Sequence, residues 1–173
     1  MRFQGTCYRA HDPQWAFRPL SGEGASLKGG RFNPIGTPAL YLACSIEGCL
    51  LEQSHGLAHR FDPLTLCSYE VDVDDVVDLS TPSARRMARV KLSQLDCAWR
   101  EDLVHRRLPA SWKLARRLIR GGAAGILVPS FAIGADPRLL NLVLWKWSPT
   151  LPHRVTVHDP GGKLPRNMLS WKR

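Results

Sequence analysis

Between residues 66 and 74 the side chains alternate strictly: Cys67, Tyr69, Val71 and Val73 point one way, Ser68, Glu70, Asp72 and Asp74 the other. A β-strand sends successive side chains to opposite faces, so this segment is a half-buried strand with one apolar and one polar side. Gly5-Thr6-Cys7-Tyr8-Arg9 reads as a short first strand and Ala39-Leu40-Tyr41-Leu42-Ala43 as a second. Gly125-Ile126-Leu127-Val128-Pro129 is a short apolar strand ending at a proline, and residues 139–147 and 153–158 read as further strands. Helices fall between. Ser45 is a candidate N-cap for a helix running to about residue 57, with Ile46, Cys49, Leu50 and Leu57 on one stripe. Thr81-Pro82 supplies an N-cap and a first-turn proline, opening two or three helices over residues 82–120, the last closed by Gly121-Gly122. Strands at both ends with helices between predict a mixed α/β (α+β) domain.

A chain of 173 residues fits one domain with one sizeable core, and 44% apolar residues is ordinary for such a fold. No run approaches the roughly 18 apolar residues of a membrane helix, and the start, Met1-Arg2-Phe3-Gln4-Gly5, has no apolar signal core. A cytoplasmic protein without a membrane partner is expected. Five cysteines, with no C-x-x-C pair, suit small buried thiols in a reducing compartment better than a disulfide framework or zinc site. The net charge of +9 fits solvated basic helix faces such as Arg85-Arg86, Arg106-Arg107 and Arg116-Arg117, or an anionic ligand, an acidic partner or nucleic acid. No zinc finger, RNP-like motif or basic heptad region singles out nucleic acid.

The segment 13–38 is rich in Gly and Pro and has little periodicity, the mark of a functional loop. Within it Gly29-Gly30 would let backbone approach a ligand closely, and Arg31 offers a planar fork of donors for phosphate or carboxylate. Glu52 sits between Gly48 and Gly56 on one helical stripe. Glycine costs a helix about 1 kcal/mol relative to alanine, so the pair wants a reason. Either Glu52 lies in a cleft that a bulky group must enter, or the stripe packs closely on a strand while Glu52 faces water. The residues alone leave both open. His55 and His59 have helical spacing for a metal, but no third ligand is near, so no metal is expected.

The run Gly-Gly-Arg-Phe-Asn-Pro-x-Gly-Thr-Pro-x-x-Tyr-Leu-Ala at residues 29–43, with Glu52 following, resembles the signature of the RES domain family. Arg31, Glu52 and Ser130, in Val-Pro-Ser-Phe-Ala, match the three residues that name the family. Tyr8-Arg9 resembles its early strand and Asn141-Leu142-Val143-Leu144-Trp145 its late one. The resemblance spans about residues 6–165, so the whole chain, 1–173, is taken as one RES domain.

That resemblance implies an ADP-ribosyltransferase-like mixed β core flanked by helices, with a cleft for NAD as substrate. It also implies a bacterial toxin held by a cognate antitoxin, which would carry a helix-turn-helix DNA-binding domain and cover the active site. The implied catalytic residues are Arg31, Tyr41 and Glu52, with Arg9, Arg31, Asn33, Tyr41 and Ser130 around the NAD. Breaking the nicotinamide–ribose bond builds positive charge on the sugar, which a carboxylate near the ribose stabilises; Glu52 would take that role. Arg31 and Arg9 would hold the pyrophosphate, and Tyr41 would stack on nicotinamide. Tyr41 also suits a core aromatic, Ser130 a turn after Pro129, and Asn33 a brace for the turn before Pro34. The ADP-ribosyl group would go to a protein acceptor, which the basic surface favours, or alternatively to phosphate or water. A non-catalytic basic nucleic-acid-binding module is a further reading.

Overall fold

The computed structural model describes residues 1–54 and 62–169. Seven strands form one sheet in the order β4-β5-β6-β2-β1-β3-β7. These are β1 (Phe3–His11), β2 (Leu40–Ala43), β3 (Thr65–Val73), β4 (Val76–Asp78), β5 (Gly125–Pro129), β6 (Leu140–Leu144) and β7 (His153–Val157). Only β4 and β5 run parallel; every other neighbouring pair is antiparallel. The mixed α/β architecture predicted from the sequence is the one observed.

The long strands β1 and β3 pair over nine positions, from Phe3↔Val73 to His11↔Thr65. By contrast β1 and β2 are joined at a single position, Tyr8↔Ala43. The sheet therefore has a seam. On one side lie β1, β3 and β7; on the other β2, β6, β5 and β4.

The alternation in β3 holds: Cys67, Tyr69, Val71 and Val73 are buried against Leu40, Leu42, Leu142, Leu144 and Val155 on one face of the sheet. Four helices follow β4, α3 (Pro82–Met87), α4 (Leu92–Leu95), α5 (Trp99–Val104) and α6 (Ala110–Arg120), and α4 and α6 cover the other face at its far end. There Leu95, Leu114 and Ala115 pack on Ile126, Val128 and Val143. The sequence predicted two or three helices in this span; four form, with Arg89 and Arg106 at positive φ (52° and 53°) and Asp96 outside the helical region between them. Thr81 Oγ1 accepts the Ala84 amide at 3.1 Å, the expected cap of α3. At the end of α6, Gly122 adopts φ +94°, while its amide reaches Ile119 O and that of Ala123 reaches Leu118 O. This pair of bonds is a Schellman closure, and its left-handed residue is why glycine stands there.

Besides a 3-10 turn at Pro13–Trp15, two elements stand outside the sequence expectation. Glu23–Lys28 forms a short helix, α1, inside the segment read as irregular, and β4 adds a parallel edge strand after β3. Helix α2 (Ile46–Ser54) begins where expected, with Ser45 Oγ accepting the Gly48 amide at 3.0 Å. Its stripe is rotated from the predicted one: Cys49 is buried against Ala10 and Ala43, while Ile46 is exposed. Gly56, Leu57, His55 and His59 lie outside the described residues. All five cysteines are free thiols. No helix among the described residues is long and apolar enough to cross a membrane.

Candidate active site around Glu52

The loop that carries the Gly-Gly-Arg run is built by side chains bonding to backbone. Asn33 is completely buried, and its Nδ2 donates to Ala25 O and Thr37 O, both at 2.8 Å. The Tyr41 hydroxyl, projecting from β2, donates to Asn33 Oδ1 at 2.7 Å and accepts the Phe32 amide at 3.0 Å. Two indoles complete the frame: Trp112 Nε1 donates to Gly30 O at 2.7 Å and Trp145 Nε1 to Phe32 O at 2.9 Å. A Cβ on Gly30 would lie 2.5 Å from the Tyr41 hydroxyl, and one on Gly29 would lie 3.0 Å from the Trp112 ring. The paired glycines thus leave room for Tyr41 and Trp112, and Gly29, at φ +70°, also takes a backbone conformation that side chains disfavour. Asn33 is brought to the loop interior and not to a cavity wall, so of its two readings the brace is the one its geometry supports.

Helix α2 crosses the seam on the face of the sheet that bears Tyr8, Ala43 and Asn141. Cys49 anchors it on Ala10 of β1 and Ala43 of β2. One turn on, Glu52 reaches the ends of β5 and β6. Ser130 Oγ, just past Pro129, donates to Glu52 Oε1 at 2.6 Å, and Asn141 Nδ2 donates to the same oxygen at 2.6 Å. Ser130 Oγ also accepts the Ala132 amide at 3.2 Å, which aims its proton at the carboxylate. Among the described residues no donor reaches Oε2. Two short bonds hold one carboxylate oxygen and leave the other available.

Glu52 lines two adjoining cavities. The smaller, about 200 Å³, lies where β1 and β2 diverge and is walled by Tyr8, Arg9, Tyr41, Cys49 and Asn141. The larger, about 520 Å³, is walled by Arg31, Trp99, Arg100, Phe131 and Ile133. The smaller contains one arginine and the larger two. Arg9 Nη1 donates to Pro19 O at 3.3 Å and Ser21 O at 3.1 Å, and among the described residues no carboxylate pairs with it. Burial lowers its pKa from the usual arginine value. A half-buried cation with only carbonyl partners suits an anionic ligand. Arg31 Nη1 donates to Leu95 O at 3.2 Å and Cys97 O at 2.9 Å, and its guanidinium lies 5.0 Å from the centre of the Phe131 ring. It ties α4 and α5 to the loop while presenting its charge to the larger cavity. Burial pushes the Tyr41 phenol well above its ordinary pKa, so at neutral pH it is a neutral hydrogen-bonding group.

Beneath Arg9 a second network fixes the start of the loop. His11 Nε2 and the Tyr69 hydroxyl are 2.6 Å apart, and that hydroxyl donates to Pro19 O at 3.0 Å. Burial, assisted by the Arg9 charge, lowers the His11 pKa to about 4.

The structure therefore brings Arg9, Arg31, Tyr41, Glu52 and Ser130 around one pair of cavities. Sequence reasoning did not single out Asn141, Trp99 or Phe131. Asn141 carried a visible signal, an amide inside the otherwise apolar run Leu140–Leu144. Its register opposite Ala43 and Val128 is what turns it towards Glu52. Among the described residues no three His, Cys, Asp or Glu groups converge to hold a metal.

Comparison with known proteins agrees with this architecture. The RES domain family matches residues 6–167. Proteins called NAD(+) phosphorylase MbcT, from Mycobacterium tuberculosis and Mycobacterium bovis, are 39% identical over 155 residues, covering 79% of this chain and 78% of theirs. Among solved structures, the Mycobacterium tuberculosis MbcT–MbcA toxin–antitoxin complex contains a chain that superposes with a TM-score of 0.62. It shares 26% identity over 92% of this chain and 84% of that one. The matched span takes in both cavities and every residue that touches Glu52, and the chain belongs to the RES domain family.

Proposed function

We propose that the protein is the toxin of a toxin–antitoxin pair and acts by cleaving the nicotinamide–ribose bond of NAD, with inorganic phosphate as the acceptor. The observation that carries this reading is the Glu52 carboxylate, held through one oxygen by Ser130 and Asn141 at the junction of two cationic cavities. As the bond from ribose C1 to the nicotinamide nitrogen breaks, its electron pair leaves with nicotinamide and positive charge builds on the sugar. The free Glu52 oxygen stabilises that charge or holds a ribose hydroxyl. Tyr41 offers a ring face to nicotinamide, Arg31 balances the pyrophosphate, and Arg9 adds a second positive charge at the wall of the smaller cavity. Asn33 serves indirectly, by fixing Tyr41 and the Arg31 loop. A phosphate oxygen then bonds to C1, giving an ADP-ribose phosphate ester and releasing a proton.

The activity named for the 39% identical relatives puts phosphate first as acceptor. Transfer to a protein side chain is the second reading. The basic faces of α3 and α6, with Arg85, Arg86, Arg116 and Arg117, favour it by offering a dock for an acidic macromolecule. A cognate antitoxin with a helix-turn-helix domain would cover the cleft, and both partners would act in the cytoplasm. No metal is required for these steps.

The test incubates purified protein with NAD labelled in its adenine half, with and without phosphate and a bacterial lysate. Nicotinamide release with label in a phosphorylated small product supports phosphorolysis; label on a lysate protein supports the transferase. Glu52→Gln is expected to lose at least ~100-fold in kcat while NAD still binds. Little loss would overturn the role of Glu52. Salt-sensitive nucleic-acid binding that persists in Glu52→Gln, with no nicotinamide released by the wild type, would instead favour a binding module.

A further inference from the structure

We infer that the wall formed by Trp99, Phe131 and Ile133 is the subsite for the purine-nucleoside half of the substrate, and that it sets a preference for a dinucleotide over a mononucleotide. The inference rests on the NAD-cleaving reading and goes beyond it by assigning the larger cavity.

The reacting ribose carbon must lie beside Glu52, and Glu52 is the residue common to both cavities. A dinucleotide anchored there sends its two ends in different directions. The side with Tyr41 has about 200 Å³, enough for the nicotinamide end, whereas the side with Trp99 has about 520 Å³. The remaining nucleoside is the larger piece, and only the larger cavity has room for it.

The chemistry of that wall agrees. Trp99 opens α5 and is half-buried, with the Arg100 guanidinium 5.2 Å from its ring. Phe131 stands across the cavity beneath the Arg31 guanidinium. Ile133 is 79% exposed at the rim, an apolar side chain held in water beside two aromatic rings. A flat purine gains from such faces without needing base-specific hydrogen bonds. Arg31 lines the same cavity as this wall and Glu52, and so can meet the pyrophosphate of a ligand spanning the two cavities. Its Nη1 is committed to Leu95 and Cys97 carbonyls, so the charge is fixed in position. Glu101 also borders the cavity and can accept from a ribose hydroxyl.

The experiment measures nicotinamide release from NAD and from nicotinamide mononucleotide at saturating phosphate, using full-length wild type, Trp99→Ala, Trp99→Phe and Ile133→Asp. Trp99→Ala is expected to raise the NAD KM about tenfold, the size of one lost base–aromatic stack, and to cut the NAD-to-mononucleotide preference by the same factor. Trp99→Phe keeps a ring and should restore most of that preference. Ile133→Asp changes an exposed residue, so the fold is not at risk, and should lower the preference in the same direction. If Trp99→Ala and Ile133→Asp both leave the ratio at its wild-type value while NAD is consumed, the subsite assignment falls and the NAD-cleaving reading stands. Wild-type protein that releases no nicotinamide from either compound overturns both.

Discussion

The two segments that frame Glu52 are held in opposite ways. The loop from Gly29 to Ala39 has no regular structure, yet Asn33, Tyr41, Trp112 and Trp145 bond its backbone from four directions. Across the larger cavity, α4 and α5 are helical but only four and six residues long, and largely exposed. Besides Leu95 packed in the core, their junction is held by Arg31 and by Cys97 Sγ donating to Ser111 Oγ at 3.3 Å. Helices this short do not stand on their own propensity. Rigidity here follows satisfied buried polar groups, and regular secondary structure is a poor guide to it.

The comparison is broken most severely at Asn33. Asn33→Ala leaves the Ala25 and Thr37 carbonyls and the Tyr41 hydroxyl without their partner in a dry interior. The expected loss is on the order of 4 kcal/mol, read from chemical unfolding. A loss under about 1 kcal/mol would mean that the loop is held elsewhere.

Acid should loosen the His11–Tyr69 network that holds Pro19. His11 titrates near its ordinary value when unfolded and at about 4 when folded, so the fold favours the neutral ring. That contribution is fully present above the unfolded pKa of about 6.5 and is lost as pH falls from there towards about 4, because the unfolded chain then binds the extra proton. The shift corresponds to at most about 3 kcal/mol. Urea unfolding at neutral and mildly acidic pH should show a shallower dependence in His11→Phe; equal slopes in the two proteins would refute the assignment.

The smallest effect is expected on the helical side. Arg31→Lys keeps a charge and a donor but loses the planar guanidinium that sits 5.0 Å from the centre of the Phe131 ring. A stability loss of about 1 kcal/mol is expected, with faster amide exchange confined to residues 92–104. Exchange that rises equally in the 29–39 loop would show that the two segments are not independently held.

Much of this was legible beforehand because it is local. The period-two pattern of β3, the Ser45 and Thr81 caps and the Gly121-Gly122 closure depend on neighbours in sequence. What escaped depends on partners far along the chain. β4 is three residues long and is a strand because it pairs with β5. Asn141 serves Glu52 because β6 runs antiparallel to β2 in one register, and a shift by one residue would turn it to the other face. Asn33 was ambiguous between turn and ligand, and burial favours the turn. The crowding of the Gly29-Gly30 pair is non-local too: Tyr41 and Trp112, which press on it, come from β2 and α6.

The single-residue join between β1 and β2 gives Glu52 a second office. Helix α2 rests on Ala10 from one half of the sheet and Ala43 from the other, and one oxygen of Glu52 is then fastened to Ser130 and Asn141. The Glu52 carboxylate thus also acts as a rivet, fastening α2 where it spans the two halves of the sheet. Glutamine in its place keeps an oxygen for both donors and leaves the rivet whole; alanine draws it out. Truncating that side chain therefore also loosens the packing of α2 across the seam.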